Sequence, residues 1–218
     1  MAKQRLLFVK EEQAAYLSHL DLMRTFQRAL PRGGVQLRHS QGFHPHPILS
    51  IVLPLPVGQS SECELLDFES VGEMPVDVEA LNSGLPLGLR VLDCYEPLRP
   101  VRELYALQLR AELEYDAGVP SGAMEGLLAL FAREELWIEK RTKRKQLAEV
   151  DLRPMLLKTE LSEREGMLVL EAQVQAQNPG LNPALLMQAI ERYCPRYLPD
   201  FMRIRRIALW DAEGKLFR

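Results

Sequence analysis

One stretch in the second half of the chain alternates regularly between apolar and polar residues. From Tyr105 to Tyr115, tyrosine, leucine or alanine occupies every second position, and glutamine, arginine and glutamate fill most of the positions between them. A period of two places successive side chains on opposite faces of a β-strand. The pattern predicts a strand in an antiparallel sheet with one buried face and one solvated face.

Strand and helix patterns follow one another in the same order in both halves of the chain. In the first half we predict strands at 5–10, 35–39, 48–57, 62–69 and 89–95, with helices at 18–30 and 75–82. In the second half we predict strands at 105–115, 136–142, 148–152, 167–176 and 201–210, a helix capped by Ser121 and another starting at Asn182. This is the order of the split β-α-β, ferredoxin-like unit. The sequence therefore predicts an α+β protein of two tandem ferredoxin-like (βαββαβ) domains with antiparallel sheets, residues 1–98 and 99–218, joined at a proline-rich linker.

The composition of the chain is that of a globular protein. It has 47% hydrophobic and 26% charged residues, and its net charge of -3 gives no global attraction to nucleic acid. Its three cysteines are odd in number and far apart, which argues against a disulfide framework or a metal–sulfur site within this chain. No apolar run reaches the length of a bilayer crossing, and the N-terminus lacks a signal-type core. We expect a cytoplasmic protein that contacts no membrane and has no cofactor of its own.

All four histidines lie in one segment, from Ser18 to Pro47. They are His19, His39, His44 and His46. Ser18 and Asp21 have the spacing of a helix N-terminal cap, and Pro31 is expected to end that helix. The segment closes with a stiff loop, Gly42-Phe43-His44-Pro45-His46-Pro47.

The histidines of the loop allow two interpretations. Prolines restrict the residues that precede them to extended geometry, so the imidazoles of His44 and His46 are expected to project to one side. That geometry suits a metal ion, with His19 or His39 as further ligands, but zinc and iron normally require a third protein ligand that the spacing does not supply. The alternative is a polar loop that shapes a partner-binding surface.

The helix of this segment also allows two interpretations. Asp21, Arg24 and Arg28 follow one another at helical spacings, as in a solvated ion-pair face. Alternatively, Arg24 and Arg28 bind a phosphate or carboxylate together with Ser40 and the loop.

The strongest local charge signal lies in the second half, on a predicted strand end and turn. The basic residues there are Lys140, Arg141, Lys143, Arg144 and Lys145, with Trp137 upstream and Arg153 downstream. A basic hairpin beside an aromatic residue is typical of phosphate-backbone binding, whereas the simpler interpretation is a solvated hairpin tip. Asp151 and Arg153, which precede Pro154, equally suit a structural turn.

Several motifs together resemble one family, the radical-SAM-associated domain of unknown function. The stretch 16–24 reads YLSHLDLMR, 39–47 reads HSQGFHPHP, 54–58 reads PLPVG and 151–154 reads DLRP. The resemblance spans nearly the whole chain, although His44 stands where the family more usually has asparagine. It implies a radical SAM protein as partner, which would carry the iron–sulfur cluster and S-adenosylmethionine (SAM), while this chain would recognise the substrate.

Three functions follow as hypotheses. The first is a non-catalytic RNA-binding accessory protein, acting on tRNA or rRNA with a radical SAM modification enzyme. The second is an enzyme with a site built from His19, Asp21, Arg24, His44 and His46, and the third is a protein-binding scaffold. In the first, the basic hairpin binds RNA, and the substrate- or partner-binding surface comprises Ser18, His19, Asp21, Arg24, Arg28, Ser40, Gly42, Phe43, His44 and His46.

Overall fold

The computed structural model describes residues 2–72, 75–141 and 147–218. The chain divides into two compact units, Met1–Glu103 with Leu216–Arg218 and Leu104–Lys215, where the sequence predicted domains of 1–98 and 99–218. The described residues form ten β-strands and four α-helices, and every pairing within a unit is antiparallel. The α+β class with antiparallel sheets is therefore confirmed. Within these ranges, no helix combines the length and apolar character needed to cross a membrane.

The first unit contains a small sheet and two helices. Its elements are β1 (Ala2–Lys10), α1 (His19–Arg32), β2 (Leu49–Ile51), β3 (Ser60–Ser70), α2 (Val78–Ser83) and β4 (Leu89–Tyr95). The strand order is β4-β1-β3-β2. Phe26 of α1 packs edge-on against Phe8 of β1, with ring centroids 4.8 Å apart, in a core that also holds Leu22 and Leu30. The apolar stripe of α1 thus covers one face of the sheet.

The second unit contains a four-stranded sheet and a separate two-stranded ribbon. Its elements are β5 (Leu104–Glu114), α3 (Ala123–Phe131), β6 (Trp137–Arg141), β7 (Leu147–Asp151), β8 (Leu156–Arg164), β9 (Met167–Gln175), α4 (Leu185–Tyr193) and β10 (Phe201–Asp211). The sheet order is β10-β5-β9-β8, and β6 pairs with β7 alone. We call that pair the β6–β7 ribbon.

The two faces of the second unit's sheet differ in character, as the alternation of β5 predicts. Leu107, Leu109 and Leu113 on one face are at most 4% exposed. The opposite face carries Gln108 and Arg110 of β5, which remain partly exposed, and their register partners on the neighbouring strands. We call this second surface the polar face.

Three predictions in the first unit are wrong in detail. The strand expected at 35–39 is reduced to isolated bridges of Leu37 with Ser70 and of His39 with Pro47. The strand expected at 48–57 pairs only over Leu49–Ile51, because Pro54 and Pro56 have no N–H to donate. The helix continues through Pro31 to Arg32, since a proline in the last turn removes one hydrogen bond while the Gly33 N–H still bonds to the Ala29 carbonyl at 2.9 Å.

The second unit also departs from prediction at three places. Strand β8 was not predicted, because this edge strand carries Lys158, Glu160 and Arg164 on its polar side and few apolar residues on the other. The cap of α3 is Gly122 and not Ser121, and this cap residue makes no side-chain hydrogen bond to the helix. Helix α4 starts at Leu185, after a turn in which the Asn182 side chain accepts a hydrogen bond from the Ala184 N–H.

Candidate functional site

The N-terminus of α1 is closed by the predicted cap. The Ser18 hydroxyl accepts a hydrogen bond from the Asp21 N–H at 3.2 Å and donates one to Asp21 Oδ2 at 2.7 Å. Arg24 Nη1 lies 3.4 Å from the other Asp21 oxygen, and both side chains are more than half exposed. The Asp21 carboxylate is therefore engaged on both sides, while His19 and Arg28 lie exposed on the helix surface.

The histidine-containing loop is closed by Ser40 and His46. The Ser40 N–H donates to the His46 carbonyl at 2.8 Å, the His46 N–H donates to Ser40 Oγ at 3.2 Å, and Ser40 Oγ lies 2.9 Å from His46 Nδ1. Gly42 has a φ of 141°, a region that favours glycine. Phe43 beside it is fully exposed, so the loop presents an aromatic ring at its tip.

A cavity of about 290 Å³ lies against this loop in the first unit. His46 and Pro47 line one side, and the other lining residues come from β1, β2, β3 and the segment after β4: Lys3, Gln4, Leu49, Ser50, Asp67, Phe68, Glu69 and Pro97, with Ile48 between loop and strand. Sequence reasoning missed these residues, because the strand register that brings them together leaves no local signal.

The two carboxylates of this cavity are already paired with arginines. Asp67 accepts from Arg5 Nε at 2.5 Å and from Arg5 Nη2 at 2.8 Å, and Glu69 forms an ion pair with Arg38. Arg5 is 1% exposed, and Phe217 covers it with its ring centroid 5.4 Å from the guanidinium carbon. Because both carboxylates are bound by these arginines, Asp67 and Glu69 have a structural role in the cavity wall.

The predicted residues of the first unit form two separate groups. In the described part of the chain, no hydrogen bond or ion pair joins Ser18, Asp21 and Arg24 to Ser40 and His46. Among the described residues, no group of three or more His, Cys, Asp or Glu side chains is placed to hold a metal ion. The five residues of the enzyme hypothesis do not form one hydrogen-bonded set within those residues.

In the second unit, Asp151 and Arg153 organise the base of the β6–β7 ribbon. Asp151 Oδ1 accepts from the Leu136 N–H at 2.8 Å and from the Arg153 N–H at 3.0 Å. The Arg153 guanidinium donates to the Leu156 carbonyl at 2.6 Å. Both side chains therefore have a structural role at this turn, as one of the two interpretations proposed.

The basic residues predicted to bind RNA are described only in part. Lys140 and Arg141 belong to β6, where Arg141 is opposite Leu147, and their side chains lie outside the description. Lys143, Arg144 and Lys145 lie outside the described residues.

Two arginines and two aromatic residues form a cluster beside the ribbon. Trp137 of β6 is 40% exposed, and its carbonyl accepts a hydrogen bond from the Tyr193 hydroxyl at 2.9 Å. The guanidinium carbons of Arg133 and Arg192 lie 4.6 Å and 5.7 Å from the centre of the Tyr193 ring. We call Arg133, Trp137, Arg192 and Tyr193 the ribbon cluster. Only Trp137 was predicted, because the other contacts depend on where α4 packs.

The polar face of the second unit holds a cleft of about 370 Å³. Its lining residues are Gln108, Lys158, Glu160, Arg164, Glu171, Ala172, Gln173, Trp210 and Gly214. The hydrogen bond between Lys158 and Glu160 raises the pKa of the lysine and lowers the pKa of the glutamate. Glu171 is paired with Arg110 at 2.8 Å. Sequence reasoning predicted the solvated face but not this cleft.

Comparison with solved structures shows a similar fold in a larger protein. One chain of a crystal structure of a Cbf5-Nop10-Gar1 complex matches 93% of this chain with a TM-score of 0.50 and 11% sequence identity. The match covers 47% of that chain, so this protein spans about half its length. An unknown protein from Galdieria sulphuraria matches 94% of this chain and 98% of its own length, at 13% identity and a TM-score of 0.27.

Sequence comparison places the chain in a family. No curated protein matches it. A family model described as an uncharacterized protein conserved in bacteria, DUF2344, matches residues 3–183. Because this match covers most of the chain, the protein belongs to the DUF2344 family.

Proposed function

We propose that this protein is an accessory protein that binds tRNA or rRNA in the cytoplasm and presents it to a radical SAM modification enzyme. The observation that carries the RNA-binding part is the ribbon cluster: Trp137 is exposed, its carbonyl accepts a hydrogen bond from Tyr193, and the Tyr193 ring carries the guanidinium groups of Arg133 and Arg192. Exposed aromatic rings stack on unpaired bases, and guanidinium groups contact phosphates, so the two together suit a single-stranded segment.

The charge pattern indicates where on the ribbon the RNA backbone binds. Between Arg133 and Glu149, six basic residues accompany four acidic ones. Glu149 forms an ion pair with Arg192 at 3.4 Å, and Glu135 accepts a hydrogen bond from the Trp137 indole, so two of these acids have partners near the base. In the sequence, the remaining positive charge is concentrated at residues 140–145, which favours phosphate contacts by that segment.

The partner-binding part of the proposal concerns the first unit. Phe43 projects from a loop that Ser40 and His46 hold closed, and Tyr16 and Leu20 near the N-terminus of α1 are also exposed. Exposed aromatic and aliphatic side chains on a fixed backbone suit the centre of a protein interface. The choice of a radical SAM partner, which would bring the iron–sulfur cluster and SAM, rests on the resemblance of residues 16–24 and 39–47.

Both units are proposed to be ferredoxin-like. The orders β4-β1-β3-β2 and β10-β5-β9-β8 support this, because each places the first strand between the third and the fourth. In this proposal the β6–β7 ribbon is an insertion between the first helix and the second strand of the second unit.

The salt dependence of RNA binding tests the main claim. About four phosphate contacts to a single strand give a slope near -3 in log affinity against log salt, hence roughly fifty-fold weaker binding when salt is raised fourfold. The triple variant K143A/R144A/K145A should reduce that slope to about -1. The exposed Arg90 of β4 supplies the control variant R90A, which should retain the wild-type slope. A slope near zero for the wild-type protein would contradict the proposal.

Affinity purification tests the partner. The wild-type protein should retain a radical SAM protein from native lysate, identified by mass spectrometry, and F43A should retain much less of it. F43A should keep its RNA affinity, because Phe43 belongs to the first unit. Equal recovery of the radical SAM protein by F43A would remove the loop from the interface.

A further inference from the structure

The polar face of the second unit holds a row of side chains that crosses all four strands. Strand register places Lys158 of β8 opposite Gln173 of β9, Gln173 opposite Gln108 of β5, and Gln108 opposite Ala208 of β10. Directly opposed residues on antiparallel strands share a face and are close neighbours. The two carboxamides are therefore adjacent, with a small alanine beside them that leaves space above β10.

The next positions along the strands form the sides of the cleft. On one side, register aligns Glu160, Glu171 and Arg110, and Arg110 forms the ion pair with Glu171. On the other side Trp210 of β10 is opposite the small Ala106 of β5. The cleft thus has an amide floor, an indole on one side and paired charges on the other, in a volume of about 370 Å³. That volume lies within the usual range for small-molecule sites.

The floor of the cleft has unused hydrogen-bonding capacity. No described residue bonds to the side-chain amide of Gln108 or Gln173, and each amide offers one acceptor oxygen and two N–H donors. Lys158 is paired with Glu160, so its charge is largely balanced. Arg164 forms no ion pair with any residue in the described ranges, which leaves it as the cation available to an anionic ligand.

These groups match the chemistry of a nucleotide. A carboxamide presents a donor and an acceptor in one plane, which is the pattern on the edges of nucleobases. Indole rings stack on base faces, and arginine binds phosphate. We infer that this cleft binds one unstacked nucleotide of the RNA, with Gln108 and Gln173 contacting the base edge, Trp210 stacking on the base and Arg164 contacting the phosphate. The inference rests on the proposed RNA-binding function and adds a base-reading site to it.

Tryptophan fluorescence tests the cleft directly, since the chain has two tryptophans, Trp137 and Trp210. In the variant W137F, Trp210 is the sole indole, and nucleoside 5′-monophosphates should quench its emission in a saturable manner. The double variant Q108L/Q173L in this background should bind about twenty-five-fold more weakly, because each of the two lost hydrogen bonds contributes roughly a factor of five. Gln188 is exposed on α4, and Q188L is the matched control with no expected change.

A comparison of AMP with adenosine tests the proposed phosphate contact of Arg164. The W137F protein should bind AMP more tightly than adenosine, and R164Q should abolish that preference while retaining adenosine binding. Equal affinity of AMP for Q108L/Q173L and its parent would overturn the inference, as would the absence of saturable quenching by any nucleotide. Equal quenching by glucose 6-phosphate would also overturn it, by assigning the cleft to sugar phosphates.

The outcomes separate this inference from the proposed function. Nucleotide quenching with no retention of RNA by the wild-type protein would contradict RNA binding by the ribbon and leave the cleft supported. RNA retention with a normal salt slope, but without nucleotide quenching, would overturn the cleft and leave the ribbon supported. The triple variant K143A/R144A/K145A should lose RNA affinity and keep nucleotide quenching.

Discussion

The two units differ in how they use their polar side chains. In the first unit, the serines, the histidine and the aspartate that attract attention in the sequence bond to one another: Ser18 to Asp21, and Ser40 to His46. In the second unit, Gln108, Gln173 and Arg164 lie together in a cleft and use none of their side-chain groups on described residues. The dense polar motifs of the first unit therefore correspond to hydrogen-bonded local structure, whereas the cleft of the second unit holds amide and guanidinium groups that bond to no described residue.

The ion pairs of the two units differ in burial, and this difference gives the largest predicted change in unfolding free energy. Arg5 is 1% exposed in its pair with Asp67 of the first unit, whereas Arg110 and Glu171 of the second unit are 35% and 21% exposed. Asp67→Ala leaves a buried guanidinium without its carboxylate and should lower the free energy of unfolding by about 3–5 kcal/mol. Glu171→Ala should cost about 1 kcal/mol or less. Urea unfolding of both variants measures the two values, and equal losses would contradict the contrast in burial.

Removing a serine near a helix N-terminus should also change the unfolding free energy differently in the two units, but by less than removing an ion-pair partner. Ser18 bonds to the N-terminus of α1, whereas the cap residue of α3, Gly122, makes no side-chain hydrogen bond to its helix. Ser18→Ala should therefore cost about 1 kcal/mol of unfolding free energy. Ser121→Ala should change it by less than about 0.5 kcal/mol. Thermal unfolding followed by circular dichroism checks both, and a larger effect at Ser121 would show that α3 is capped differently.

Two partly buried tyrosines, one in each unit, differ in the hydrogen bonding of their hydroxyl groups. The Tyr115 hydroxyl donates to the Tyr197 carbonyl at 2.8 Å, whereas the Tyr95 hydroxyl is buried with no hydrogen-bond partner in the described ranges. Tyr115→Phe should cost about 1 kcal/mol, and Tyr95→Phe should be neutral or slightly stabilising. Chemical denaturation at pH 7 measures both, and a clear loss of stability in Tyr95→Phe would mean that its hydroxyl has a partner.

The same tyrosines predict a loss of stability in alkali. Burial raises the pKa of each to about 12, and Asp200 contributes to the rise at Tyr115. Because the folded state favours the neutral phenol, its stabilising contribution is complete below about pH 10 and is lost as pH rises towards 12. Unfolding free energies between pH 9 and pH 12 should fall less in either phenylalanine variant than in the wild-type protein. Identical curves for the variants and the wild-type protein would contradict the raised pKa values.

The smallest predicted effect concerns the exposed arginines of α1. Arg24 is 63% exposed at 3.4 Å from Asp21, so Arg24→Ala should change the unfolding free energy by less than about 0.5 kcal/mol. We also expect the double variant R24A/R28A to change RNA affinity by less than about twofold, because the proposed RNA contacts lie in the second unit. Filter binding with the RNA that co-purifies measures this, and a large loss would return the RNA contact to the first unit.

The elements with strong local signals were predictable from the sequence. The alternation of β5 and β9 and the Ser18 cap of α1 each appear in the structure where they were expected. Strand β8 was missed because an edge strand with a charged face has too few apolar residues to show a period of two. Asp67, which pairs with Arg5, and Gln173, which lies opposite Gln108, are 62 and 65 residues away along the chain, and only strand register makes them neighbours. Local hydrophobic patterns in the sequence carry no information on how distant strands pair.

Ultraviolet crosslinking of bound RNA to the intact chain tests the central claim most directly. Peptide mapping of the crosslinked protein should place RNA on residues 133–145, which include strand β6, and on the polar-face strands, in peptides containing Gln173 or Trp210. The matched comparison is the segment 16–47, which should carry little crosslinked RNA. Crosslinks confined to residues 16–47 would contradict the assignment of RNA recognition to the second unit.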